Sequence, residues 1–117
     1  MKAPGYFYLG QPYSHSDFSV MEERFRRGEV RTALLLKEGY HVYAPIVHCH
    51  ELAKRHALPT DAKFWREYNR VMLRTSIGLI VLPIPGWQES VGLTGEILMA
   101  REMGLPVYLD MPYGETL

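Results

Sequence analysis

Apolar and polar positions alternate along the chain so as to mark four strand-like runs separated by helical segments. Residues 6–9 form a short aromatic-rich strand, ended by Gly10-Gln11-Pro12. Ser19-Val20-Met21-Glu22 has the spacing of a capping box and predicts a helix running to Glu38, with Gly39 as its left-handed stop. The second strand spans 40–44 and is cut off at Pro45. A loop holding a short helix follows over 47–58. Pro59-Thr60-Asp61 opens a helix through Arg74. A third strand covers 77–82, a third long helix 90–103, and a fourth strand 106–109; the tail, 110–117, is irregular.

Strands alternating with helices predict a parallel sheet with right-handed crossovers and helices on both faces. The expected fold is α/β: a flavodoxin-like three-layer sandwich with a short sheet in the order 2-1-3-4, forming one domain over 1–117. Its switch point lies between strands 1 and 3, so the loop after Leu9 should sit beside the loop after Leu82. Open α/β sheets bind ligands at that edge.

Within the helix at 90–103, one carboxylate breaks the pattern. At roughly 100° per residue, Leu93, Ile97, Ala100 and Gly104 form an apolar arc. Glu96 lies on its flank, between Ala100 and Met103, while Arg101 and Glu102 point the other way. A carboxylate on a core-facing edge must be desolvated, paired or useful. The helix follows the most strand-like run, Leu79-Ile80-Val81-Leu82, through a Pro-Gly-Trp loop, which directs Glu96 to the carboxyl edge of the sheet.

Composition narrows the classes. The 117 residues suit one domain, and 13 basic against 13 acidic residues suggest neither a nucleic-acid nor a membrane partner. Cys49 is the only cysteine, which excludes an internal disulfide and fits a reducing compartment. Met1-Lys2-Ala3-Pro4-Gly5 runs into the first strand without a signal-peptide apolar region, and no apolar run reaches the length of a membrane span. The expected location is the cytoplasm.

Candidate binding residues gather in three places. In the first loop, Gly10 admits close backbone approach, and Gln11, Tyr13, Ser14 and His15 supply hydrogen bonds; an ordinary strand-to-helix turn explains the same residues. Ser90-x-Gly92 opens the third long helix, where serine caps and free amides bind anions. His48-Cys49-His50, read as extended, puts both histidines on one face. Three or four ligands at metal spacing are lacking, so a cleft-lining role is expected and no metal. Trp87 sits at the predicted mouth, either to stack on a base or to anchor its loop. Phe64, Trp65, Tyr68 and Met72 have helical spacing and read as core or interface. Arg24, Arg26, Arg27 and Arg31 alternate with glutamates and read as a solvated face.

Tyr8-Leu9-Gly10-Gln11-Pro12-Tyr13 together with Ser90-Val91-Gly92-Leu93-Thr94-Gly95-Glu96 resembles the nucleoside 2-deoxyribosyltransferase-like superfamily, which includes the 2'-deoxynucleoside 5'-phosphate N-hydrolases. The chain is most similar to a small bacterial and phage branch of unsettled function, through His48-Cys49-His50, Phe64-Trp65 and Pro85-Gly86-Trp87-x-x-Ser90-x-Gly92. The resemblance implies that Glu96 is the nucleophile, Tyr8 orients it, and Ser90 helps hold a 5'-phosphate. Asn69 stands nearest to the transferases' general-acid aspartate, and Ser14 or His15 replaces the phosphohydrolases' loop arginine. Relatives continue beyond strand 4 and lend C-terminal residues to a neighbouring subunit; here Tyr113 and Thr116 are the available side chains. It further implies a homo-oligomer, a dimer or larger.

The resulting expectation is an enzyme that cleaves or transfers the N-glycosidic bond of a nucleoside or nucleoside 5'-monophosphate, with no metal or organic cofactor. A non-catalytic nucleotide sensor on the same fold is the alternative, and an oligomeric scaffold is a third.

Overall fold

A computed structural model describes residues 5–117; the Met1–Pro4 lead-in lies outside the described residues. The elements run β1 (Phe7–Gly10), α1 (Phe18–Lys37), β2 (Val42–Tyr43), α2 (Pro45–His56), α3 (Ala62–Arg74), β3 (Gly78–Val81), α4 (Val91–Glu102) and β4 (Val107–Leu109). The four strands form a parallel sheet in the order β2-β1-β3-β4, as the alternation predicted. The central strands β1 and β3 are buried at every position. That is the signature of a parallel sheet covered on both faces.

Period-2 alternation divides these strands between two cores. Phe7, Leu9 and Ile80 face one side and pack with Leu35 of α1. Tyr8, Leu79 and Val81 face the other and pack with Leu73 of α3 and with Leu93 and Ala100 of α4. The sheet therefore sits between α1 and the α3–α4 pair. The C-terminal tail folds back onto β4 through a Tyr108–Thr116 bridge, and the Tyr113 ring lies edge-on to Phe7, 5.6 Å away. Tyr113 and Thr116 are thus engaged within this chain, Tyr113 on the Phe7 face, opposite Tyr8.

Two boundaries differ from the sequence reading. The cap of α1 is Asp17, whose Oδ1 accepts from the Ser19 backbone (2.9 Å) and hydroxyl (2.8 Å), so Ser19 lies inside the helix. More consequentially, the segment after β2 is a full helix of 12 residues starting at Pro45. Proline ends a strand, yet its fixed φ and missing N–H suit the first turn of a helix. The helix stops at Ala57, which adopts a left-handed φ of 54°. His48 and His50 therefore stand roughly 200° apart around a helix and do not share a face.

Candidate functional site

The carboxyl ends of β1 and β3 and the start of α4 enclose the candidate site. Gly10 closes β1 in register with Val81 of β3. The chain leaves these neighbouring strands toward opposite faces, which opens a crevice. Ser90 caps α4, its Oγ accepting from Leu93 N at 3.1 Å, and the first turns of α4 point into that crevice.

Glu96 is 8 % exposed, on the same buried stripe as Leu93 and Ala100. The Tyr8 hydroxyl, from the middle of β1, donates to its Oε2. Burial raises the Glu96 carboxyl to about 7, against the opposing pull of the Tyr8 hydrogen bond. Tyr8 itself is pushed well above its ordinary value, first by burial and then by the Glu96 charge, so it stays a donor. Gly10 makes this arrangement sterically feasible: a Cβ there would meet Leu93 Cδ1 at 2.9 Å and Glu96 Oε1 at 3.0 Å.

Glu96 borders a cavity of about 530 Å³. That lies within the roughly 300–1,000 Å³ of small-ligand sites. Gln11, Tyr13, Ser14, His50, Asn69, Ser90 and Gly92 line it too, drawing on both flanks of the switch point, α2 and α3. Asn69 Oδ1 is buried without a hydrogen-bond partner among the described residues, leaving an acceptor on the cavity wall. Gln11 Nε2 donates to the Arg24 carbonyl at 2.7 Å, so its amide ties the first loop to α1. Its Oε1 rests over Gly28, where a Cβ would lie only 1.8 Å away.

Five residues singled out in the sequence fall outside the cavity lining: Tyr8 and Gly10, which meet Glu96 from β1, and His15, His48 and Trp87. His15 is exposed, and its Nδ1 accepts from Asp17 N at 2.9 Å. His48 is exposed on α2, stacked parallel to Tyr68 with centroids 6.4 Å apart. Trp87 packs against the Tyr8–Leu79 core, the loop-anchor alternative. His50, by contrast, is 2 % exposed and fully engaged. Its Nδ1 meets the Tyr13 hydroxyl at 2.5 Å, its Nε2 meets Glu22 Oε2 at 2.6 Å, and its ring stacks on Phe25 at 4.3 Å. Burial, followed by the Glu22 charge, raises Tyr13 to about 12, which keeps it a phenol near neutral pH.

Several site residues escaped the sequence reading. Trp65 was placed in a core or interface, yet it lines the cavity and donates Nε1–H to the Pro59 carbonyl at 2.8 Å. Lys63 and Arg66, one turn apart on α3, bring positive charge to the cavity that also holds the α4 amides. Arg24, read as part of a solvated face, reaches the Tyr13 and Ser14 carbonyls at 3.3 and 3.1 Å. Arg31 pairs with Asp110 at 2.6 Å. Only Arg26 and Arg27 of that cluster are exposed. Among the described residues, no group of three or more His, Cys, Asp or Glu side chains is arranged to hold a metal ion, and no helix is long and apolar enough to cross a membrane.

A family model described as "Domain of unknown function (DUF1937)" matches residues 5–112. The chain belongs to that family. No curated protein matches it. The match spans every element of this DUF1937 domain, from β1 through β4, and so contains Tyr8, Glu96 and the whole cavity.

Proposed function

We propose that this DUF1937 protein cleaves or transfers the N-glycosidic bond of a (deoxy)nucleoside or nucleoside 5'-monophosphate, with Glu96 as nucleophile. One observation carries the reading: a buried carboxylate, held by a tyrosine that stays protonated, borders a nucleotide-sized cavity at the switch point of the sheet. Glu96 attacks the anomeric carbon as the base departs, giving a covalent glycosyl-enzyme through an oxocarbenium-like transition state. Water or a second base then takes the sugar and restores the carboxylate. Tyr8 fixes the attacking oxygen. The α4 amides behind Ser90, with Lys63 and Arg66, suit a 5'-phosphate.

The test is free-base release from ribo- and deoxynucleosides and their 5'-monophosphates by wild type and Glu96→Ala. Release by wild type alone supports the proposal, and addition of a second base separates transfer from hydrolysis. No release across the panel overturns it. Asn69 favours a second reading, because a carboxamide in the place of a carboxylic acid cannot protonate a leaving base. A nucleotide sensor would show ligand-dependent melting shifts without base release.

A further inference from the structure

A departing nucleobase needs a proton, and the cavity wall holds another group that can supply one. Tyr13, His50 and Glu22 form a continuous hydrogen-bonded chain from the cavity to the protein surface. The Tyr13 hydroxyl lies 2.5 Å from His50 Nδ1, and His50 Nε2 lies 2.6 Å from Glu22 Oε2. Glu22 is flanked in turn by Lys54 at 3.6 Å and Arg26 at 3.7 Å. Tyr13 and His50 line the same cavity as Glu96. Burial alone would raise Glu22, but the His50 hydrogen bond and charge, with Lys54, hold it below the ordinary carboxylate range.

We propose that Tyr13 is the acid that protonates the departing base, with His50 and Glu22 as the relay that reloads it; this rests on the glycosidic reading above. Nε2–H faces a carboxylate, so a second proton on His50 resides on Nδ1 and points at the Tyr13 oxygen. The Tyr13 O–H is then free to donate to a ligand in the cavity that Tyr13 lines. As the Glu96 oxygen bonds to the anomeric carbon, the C–N bond breaks and its electron pair goes to the base. A ring nitrogen of the base takes the Tyr13 proton, and Tyr13 takes the Nδ1 proton of His50, which becomes neutral. In hydrolysis, water bonds to the anomeric carbon, the sugar–Glu96 bond returns its pair to the carboxylate, and the released proton passes through Tyr13 to His50. The cycle closes without another co-reactant.

The geometry separates this role from simple packing. A buried histidine serving only structure would be satisfied by any two partners. Here one partner is an anion suited to support the imidazolium, and the other is a hydroxyl on the cavity wall.

The experiment compares a natural purine deoxynucleotide with its 7-methylguanine counterpart, whose base is already cationic and leaves without a proton. Tyr13→Phe keeps the ring and should slow release of the natural base by about 100-fold, at the lower end of what a general acid contributes. First-turnover release of 7-methylguanine, before water attacks the glycosyl-enzyme, should stay near wild type. Glu22→Gln keeps an acceptor for Nε2–H but removes the charge, and should show the same selective loss in a milder form. It carries the test if Tyr13→Phe does not fold. Equal losses on both substrates would overturn the relay while leaving the glycosidic reading intact. Failure of wild type to cleave either substrate would instead remove the glycosidic reading, and this inference with it.

Discussion

The Tyr8 hydroxyl and the Glu96 carboxylate are joined by a buried hydrogen bond across 88 positions of sequence. One comes from the central strand β1 and the other from the second turn of α4, so the contact exists only when the sheet and its covering helix are assembled. It couples the ionisation of Glu96 both to the stability of the fold and to the proposed chemistry.

Folded Glu96 titrates at about 7, against 4.5 for the ordinary group. Between those values the native state keeps a proton that the unfolded chain has released. Native proton uptake exceeds unfolded uptake there, so stability should fall as pH rises through this window, by up to about 3 kcal/mol. Glu96→Gln should flatten that slope and hold its melting temperature at pH 8 at or above that of wild type. Thermal melts of both proteins from pH 4 to 8 check this. A wild-type profile as flat as that of the variant would contradict it.

Activity should run the opposite way. Only the ionised carboxylate attacks, so kcat/KM should rise with pH through about 7. Tyr8→Phe removes the hydrogen bond that opposes the rise, and should move that limb upward by about one pH unit. The pH profile of base release by the two proteins decides the point; coincident limbs would mean that Tyr8 does not tune Glu96.

Gly10→Ala should damage the site and the fold together. Its new methyl would meet Leu93 Cδ1 at 2.9 Å, Glu96 Oε1 at 3.0 Å and Leu79 Cδ1 at 3.2 Å. Overpacking of this kind costs about 1–3 kcal/mol, and it displaces the reacting oxygen as well. Denaturant melts should show the loss of stability. Activity measured well below the melting temperature should fall further than the remaining folded fraction explains.

Lys63→Gln combined with Arg66→Gln should erase preference for a 5'-monophosphate over the free nucleoside. The two side chains reach the cavity from exposed positions on α3. A charge-assisted phosphate contact corresponds to a change of about tenfold in KM for the monophosphate, little for the nucleoside. The wild-type preference should also shrink as salt is added. Equal KM changes for both substrates would place the two residues outside the phosphate site.

Much of the architecture was legible from local patterns. The four strands and the long helices follow from apolar periodicity and Gly or Pro punctuation, both short-range signals, whereas the 2-1-3-4 order was expected from the flavodoxin-like arrangement of such units. Glu96 stood out because one carboxylate flanked an apolar arc; Leu93, Glu96 and Ala100 are buried, while Ile97 is half-buried and Gly104 exposed. The failures share a cause. Pro45 ends a strand and opens a helix equally well, and only the packing of α2 against α1 and β1 settles which. That choice separated His48 from His50, sending one to the surface and the other into contact with Glu22 and Tyr13. Arg24 and Glu22 looked like two more charges on a solvated helix, since nothing in their spacing records the loop and histidine that meet them.

By itself, the sequence determined the fold class, the run of strands and helices, and the position of Glu96 on a core-facing helix edge. Each depends on periodicities that a residue shares with neighbours a few positions away. The tertiary structure alone decided which other side chains gather at the cavity: Tyr13 on His50, and Lys63, Trp65 and Arg66 on its wall. These contacts join residues tens of positions apart, and their geometry is set by how helices pack on the sheet rather than by any local preference.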